Sequence, residues 1–154
     1  IFKAFRKERH DAKLLVVGLS PTEDVVRLCE ETEGVELYGN VPDVKEYYKR
    51  CKAVVVPVLQ GAGTRIKILE AALASRPVFS TPLGAEGIDL IDGKDLLLFR
   101  DAKDFSLRFK EILDRDRYHS LASNAKEFVL TNYSARNFDE AMNRVLEMID
   151  QRAL

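Results

Sequence analysis

The residues best placed to do chemistry lie between Ala53 and Glu70, in AVVVPVLQGAGTRIKILE. Gly61, Ala62 and Gly63 make a turn with almost no side chain, and a helix is predicted to open at Thr64. A small-residue loop feeding a helix N-terminus binds anions, because unpaired backbone N–H groups and the positive end of the helix dipole point the same way. Arg65 and Lys67 follow in the first predicted turn. There a cation opposes the dipole by about 0.3–1 kcal/mol; a bound phosphate reverses that sign. Thr64, Lys67 and Glu70 recur every third residue and drift slowly around one side of the helix. With a rise of about 1.5 Å per residue, Glu70 stands ~9 Å along the axis from Thr64. That spacing suits a diphosphate at the turn and the ribose hydroxyls of one nucleotide at Glu70. A surface Lys67–Glu70 pair on a solvated face suits it equally well.

These residues need a scaffold, and the surrounding pattern supplies one. Residues 53–56 are an unbroken apolar run closed by Pro57, as a strand buried on both faces should be. Further short strands are predicted at 13–17, ending at Gly18, and at 35–38, 77–80 and 95–99. Between them lie amphipathic helices. One is predicted to start with Ser20 as N-cap, Pro21 at the first position and Glu23 at the third, a capping box. Asp43 is placed to cap the helix at 44–50, whose Val44, Tyr47, Tyr48 and Cys51 pack inward. After residue 99 the pattern turns to helices alone. Their apolar faces are Phe105, Phe109, Ile112 and Leu113, then Leu121, Ala122, Ala125, Phe128 and Val129, and last Phe138, Ala141, Met142, Val145 and Ile149. Short apolar strands alternating with such helices predict an α/β fold, a Rossmann-like parallel sheet with helices on both faces, ending in C-terminal helices. Ligands of such sheets bind beyond the C-terminal strand ends. Gly18, Asn40, residues 58–64 and residues 82–87 all fall there.

Composition narrows the function classes. A chain of 154 residues suits one domain, 1–154, with a proper core. A formal net charge of −1 leaves no basic excess to neutralise phosphates along a nucleic acid, so no nucleic-acid partner is expected. No apolar run reaches transmembrane length and no signal peptide is visible, which reads as cytoplasmic, with peripheral membrane association open for a longer protein. Cys29 and Cys51 stand apart from each other and from His10 and His119, so they read as reduced structural thiols and no metal site is expected. Asp92 and Asp95 suit a turn better than a catalytic pair. The chain opens at Ile1 in a polar helical stretch and reads as a piece of a longer chain.

The run VVVPVLQGAGTRIKILEAALASRPVFSTPLGAEGI resembles the donor-binding half of retaining nucleotide-sugar glycosyltransferases of the GT-B type, family 4. LLVVG, VELYGNV and Asn132-Tyr133-Ser134 resemble further pieces of that domain in the same order. The resemblance spans nearly the whole chain and implies the second of two Rossmann-like halves, with the active site in the cleft between them. It implies a nucleoside-diphosphate sugar as substrate, no cofactor and no metal. The acceptor, a glycan or a lipid-linked glycan, and much of the catalytic machinery would belong to an N-terminal half. Residues 1–154 alone are therefore expected to bind nucleotide weakly and to transfer no sugar.

The resemblance also assigns residues. Glu70 matches the second glutamate of a Glu-x7-Glu motif, expected to hold the ribose hydroxyls; a carboxylate's acceptor oxygens suit a vicinal diol. Gly63, Thr64 and Arg65 match the segment that meets the diphosphate, with Lys67 beside it. Asn40 and Val41 match the loop that contacts the base through main chain, and Gly18 matches a turn that lets the donor approach. Three departures stand out. Ala62 occupies the place of the motif's first glutamate, so main-chain N–H groups of Gly61 to Gly63 are the expected substitutes at the sugar. Ala135 replaces a tryptophan. The domain's usual first strand and its Arg…Lys pair would precede Ile1, so a gap or a replacement is expected between the strands at 13–17 and 53–56. The alternative is a non-catalytic nucleotide-binding Rossmann-like module. A receiver domain would want clustered aspartates after the first strand, and a dinucleotide-binding domain Gly-x-Gly-x-x-Gly; Gly18-Leu19-Ser20 is neither.

Overall fold

The computed structural model describes residues 1–61, 63, 65–133 and 137. Strands and helices alternate as expected: α1 (Phe2–Glu8), β1 (Leu14–Gly18), α2 (Glu23–Glu30), β2 (Val35–Gly39), α3 (Lys45–Arg50) and β3 (Val54–Val56) come first. Then follow α4 (Ile66–Leu73), β4 (Val78–Ser80), α5 (Pro82–Ala85), β5 (Leu97–Leu98), α6 (Ala102–Glu111) and α7 (Arg115–Asn132). The last predicted apolar face, from Phe138 to Ile149, lies outside the described residues, as do Ala62, Thr64, Ser134 and Ala135.

Among the described residues every strand pairing is parallel, and the strands form two sheets. One is β1–β2, in register from Leu14 opposite Val35 to Gly18 opposite Gly39; the other is β3–β4–β5. Among the described residues no ladder joins β1 to β3.

Alternation along the three-stranded sheet sends side chains to opposite faces. Val55, Phe79 and Leu97 meet Phe5 of α1 and Phe105 and Phe109 of α6 on one face. Val54, Val56, Val78 and Leu98 meet Ile68 and Ala71 of α4 and Tyr48 of α3 on the other. Both faces are thus covered, which is why these strands read as continuous apolar runs. A third cluster, Ala72 with Ala125 and Val129, seats α4 on α7.

Local departures from the sequence reading have visible causes. Ser20 is not a cap. It sits at φ +45°, and its N–H donates to Asn40 Oδ1 at 2.9 Å. The helix starts later, at Glu23 after Thr22. A tertiary hydrogen bond has taken the segment that local sequence would give to a capping box. Asp43 accepts the Lys45 N–H at 2.9 Å, but α3 starts one residue later than predicted, with Val44 in the cap position. The fifth strand is shorter than predicted because Asp92 and Asp95 act as turn residues: Asp92 Oδ1 accepts from Leu98 N and Asp95 Oδ2 from Ile91 N, each at 2.9 Å. Cys29 is buried and Cys51 half-buried, both as free thiols, and burial pushes the Cys51 thiol upward. Among the described residues no group of His, Cys, Asp or Glu could hold a metal, and no helix is long and apolar enough to cross a membrane.

Candidate functional site

Each parallel strand delivers a loop at its C-terminal end; of the predicted site residues, Gly18 closes β1, Asn40, Val41, Gly61, Gly63 and Arg65 lie in such loops, and Lys67 and Glu70 lie on α4. The first group is built on β1 and β2. Gly18 closes β1 and is exposed; an added Cβ there would meet nothing within 4 Å. Its carbonyl accepts the Asn40 N–H at 2.9 Å. Asn40 follows β2 at φ +55°, a left-handed conformation that asparagine tolerates better than most residues. Its side chain reaches back to Ser20, so the Asn40 amide stitches the two loops together. Val41 continues that loop, half-buried.

The second group follows β3. Gly61 and Gly63 lie at φ +110° and +94°, where any Cβ is strained, which explains why glycine frames the turn. The described helix α4 starts at Ile66 with Arg65 as its cap residue, so Arg65 precedes the first turn that the sequence assigned it to. The Arg65 guanidinium donates to the Gly61 carbonyl at 2.9 Å and ties the turn to the helix it feeds. Lys67 is exposed in the first turn of α4. Glu70, also exposed, lies one turn deeper, and its Oε2 accepts the Tyr48 hydroxyl at 2.9 Å. Among the described residues nothing else bonds the Glu70 carboxylate. Burial, and then the neighbouring Glu70 carboxylate, push the Tyr48 hydroxyl well above the ordinary tyrosine range, so it stays a donor.

Tyr48 itself is fixed from behind. Its carbonyl accepts Arg76 Nε at 2.8 Å, and Arg76 also reaches the Lys49 carbonyl at 3.3 Å and the Tyr118 hydroxyl of α7 at 3.0 Å. A guanidinium at the last carbonyls of α3 also sits favourably at the negative end of that helix. Sequence reading placed Tyr48 only among inward-packing residues and passed over Arg76. Their bonds span 22 and 28 residues, and nothing in local spacing reports such partners.

Behind β3 and β4 a second set of bonds holds the loops in place. Thr81 Oγ1 donates to the Val58 carbonyl at 2.6 Å and accepts the Gly84 N–H at 3.0 Å, capping α5 while anchoring the segment that leads into the glycine turn. No hydrogen bond or ion pair among the described residues links the Gly18–Asn40 group to the Gly61–Glu70 group. Concavities of about 360 Å³ beside α1 and 580 Å³ beside α7 lie away from both. Gly18, Asn40, Gly61, Gly63, Lys67 and Glu70 are exposed, and Val41 and Arg65 are half-buried.

Comparison with known proteins fits this geometry. The family model for glycosyl transferases group 1 matches residues 1–115. The chain belongs to that family. The group 1 chain takes the Rossmann-like half of a GT-B fold, as its solved neighbours illustrate. HepE from Anabaena, in complex with UDP and glucose, aligns with a TM-score of 0.78 at 15% identity, over 95% of this chain and 44% of that one. Sucrose-phosphate synthase from Thermosynechococcus elongatus gives 0.77 at 21%, over 98% and 42%. A glycosyltransferase from Rickettsia africae gives 0.74 at 17%, over 97% and 42%. The group 1 chain thus spans less than half the length of these structures. No curated protein matches it.

Proposed function

We propose that the chain binds the nucleoside-diphosphate sugar used by a retaining glycosyltransferase, which passes the sugar to a glycan or lipid-linked acceptor. The observation that carries this reading is the glycine turn feeding α4 with Glu70 held one turn behind it, in a chain of the group 1 family. Gly61 and Gly63 leave the turn's main chain bare toward the diphosphate, and Lys67 adds a cation to stabilise it as it leaves. Glu70 takes the ribose hydroxyls. Main chain at Asn40 and Val41 meets the base, and Gly18 leaves room for the donor. The complex of HepE with UDP and glucose supports a donor of this class. The chain spans less than half the length of its solved neighbours, and residues 1–154 alone are expected to bind the donor weakly and to transfer no sugar. No cofactor or metal enters this scheme.

Calorimetric titration with UDP, GDP and ADP tests the reading. One of the three is expected to bind, and Glu70→Ala is expected to weaken that binding about tenfold, as loss of hydrogen bonds to a charged group does. An unchanged affinity in Glu70→Ala, or no binding by any of the three, refutes the assignment. Gly18→Ala separates ligand contact from folding. Its Cβ touches nothing in the protein, so thermal unfolding should move by less than about 0.5 kcal/mol. Nucleotide affinity should nonetheless fall several-fold; if it does not, Gly18 lies outside the site.

A further inference from the structure

We infer that Tyr48 is a positioning residue: its hydroxyl fixes the Glu70 carboxylate so that the site selects ribonucleotides over deoxynucleotides. The inference rests on the donor-site reading and concerns how that site discriminates. Glu70 is exposed, and an exposed glutamate samples many rotamers, whose loss a ligand would otherwise have to offset. The Tyr48 bond orders it beforehand. One carboxylate oxygen, Oε2, takes the hydroxyl at 2.9 Å, and the other has no partner among the described residues.

Tyr48 can do this because it is anchored at both ends. Its ring packs against the cluster of Val56, Ile68, Ala71 and Val78. Its carbonyl is held by Arg76, which is held in turn by Tyr118. The hydroxyl is therefore carried on a fixed platform rather than on a mobile side chain. A neutral donor satisfies Glu70 without neutralising it, whereas a lysine or arginine there would cancel its charge. An ionised carboxylate accepts hydrogen bonds and donates none, so what it demands of a ligand is hydroxyl groups. A vicinal diol meets that demand; a deoxyribose leaves it unmet.

The test compares UDP, GDP and ADP with their 2′,3′-dideoxy forms by calorimetry, on wild type, Tyr48→Phe, Glu70→Ala and the double variant. Tyr48→Phe keeps the packing ring and removes only the hydroxyl. It should weaken the ribonucleotide about threefold to tenfold, the range of a single hydrogen bond, and leave the dideoxy form within twofold of wild type. In the Glu70→Ala background the same change should have no effect on either ligand. Equal losses for ribo and dideoxy forms, or a Tyr48→Phe loss that persists without Glu70, would show a merely structural role and overturn the inference. If Glu70→Ala lowers ribonucleotide affinity and Tyr48→Phe does not, the inference fails while the donor-site reading stands. If wild type binds no nucleotide, both fail together.

Discussion

Phe105→Ala should destabilise the protein by about 3–5 kcal/mol, the range for removing a buried phenylalanine. Phe105 is the hub of the aromatic core and only 4% exposed. Its ring meets Phe5 at 5.1 Å, Phe79 and Phe99 each at 5.3 Å and Phe109 at 6.0 Å between centroids, mostly edge-on. Those partners come from α1, β4, the segment after β5, and α6 itself, so no single element can collapse into the space. The loss therefore combines transfer of the ring with a cavity that stays open. Leu107 on the same helix is 64% exposed. Leu107→Ala should move stability by no more than about 0.5 kcal/mol. Denaturant unfolding of the two variants decides it, and similar losses in both would mean that helix formation, not the aromatic cluster, is what Phe105 supports.

Gly84→Val should cost about 3 kcal/mol or more, through crowding rather than backbone strain. Gly84 is not in the left-handed region, yet an added Cβ would stand 2.5 Å from Ser80 Oγ, 2.8 Å from the Val56 carbonyl oxygen and 3.0 Å from Thr81 Oγ1. The Ser80 hydroxyl can rotate. The Val56 carbonyl cannot, because it belongs to β3, which pairs with β4, and it accepts the Thr81 N–H at 3.2 Å. Overpacking against fixed atoms costs ~1–3 kcal/mol for added methylenes, and valine adds three carbons here. Gly93 makes the contrast. It lies at φ +76° with nothing within 4 Å of its Cβ position. Gly93→Ala should show only the backbone penalty of about 1–2 kcal/mol. Unfolding free energies in the reverse order would place the constraint in the turn and not in the contact between α5 and β3.

The scaffold was legible wherever burial imposes a period. The apolar runs ending in β3 and β4 mark strands covered on both sides, and glycine at 61 and 63 marks a turn with positive φ. Asp92 and Asp95 were legible as turn residues because such carboxylates seek nearby main-chain N–H groups. What failed was local chemistry that a distant group overrides. Ser20 carries every sign of a cap, but Asn40, twenty residues on, takes its N–H. At the candidate site, Glu70 was singled out by its spacing from the turn and its match to a motif. Tyr48 and Arg76 were not, since a tyrosine on an amphipathic helix looks like packing and an arginine after a helix looks like surface. Their meaning lies in partners that only the fold brings near.

The short helix α3 carries a thermodynamic consequence. None of its residues is fully buried, and Arg76 holds its last turn through two carbonyls. Elements with so little buried surface are among the cheapest parts of a protein to open. When α3 opens, Tyr48 leaves Glu70 and the carboxylate loses its orientation. Any such opening would make the apparent dissociation constant the intrinsic one divided by the fraction with α3 closed. Closure in about one molecule in ten would weaken apparent affinity tenfold with every donor contact intact. Any partner or substitution that tightens the Arg76–Tyr118 anchor of α3 to α7 therefore raises affinity without touching the ligand.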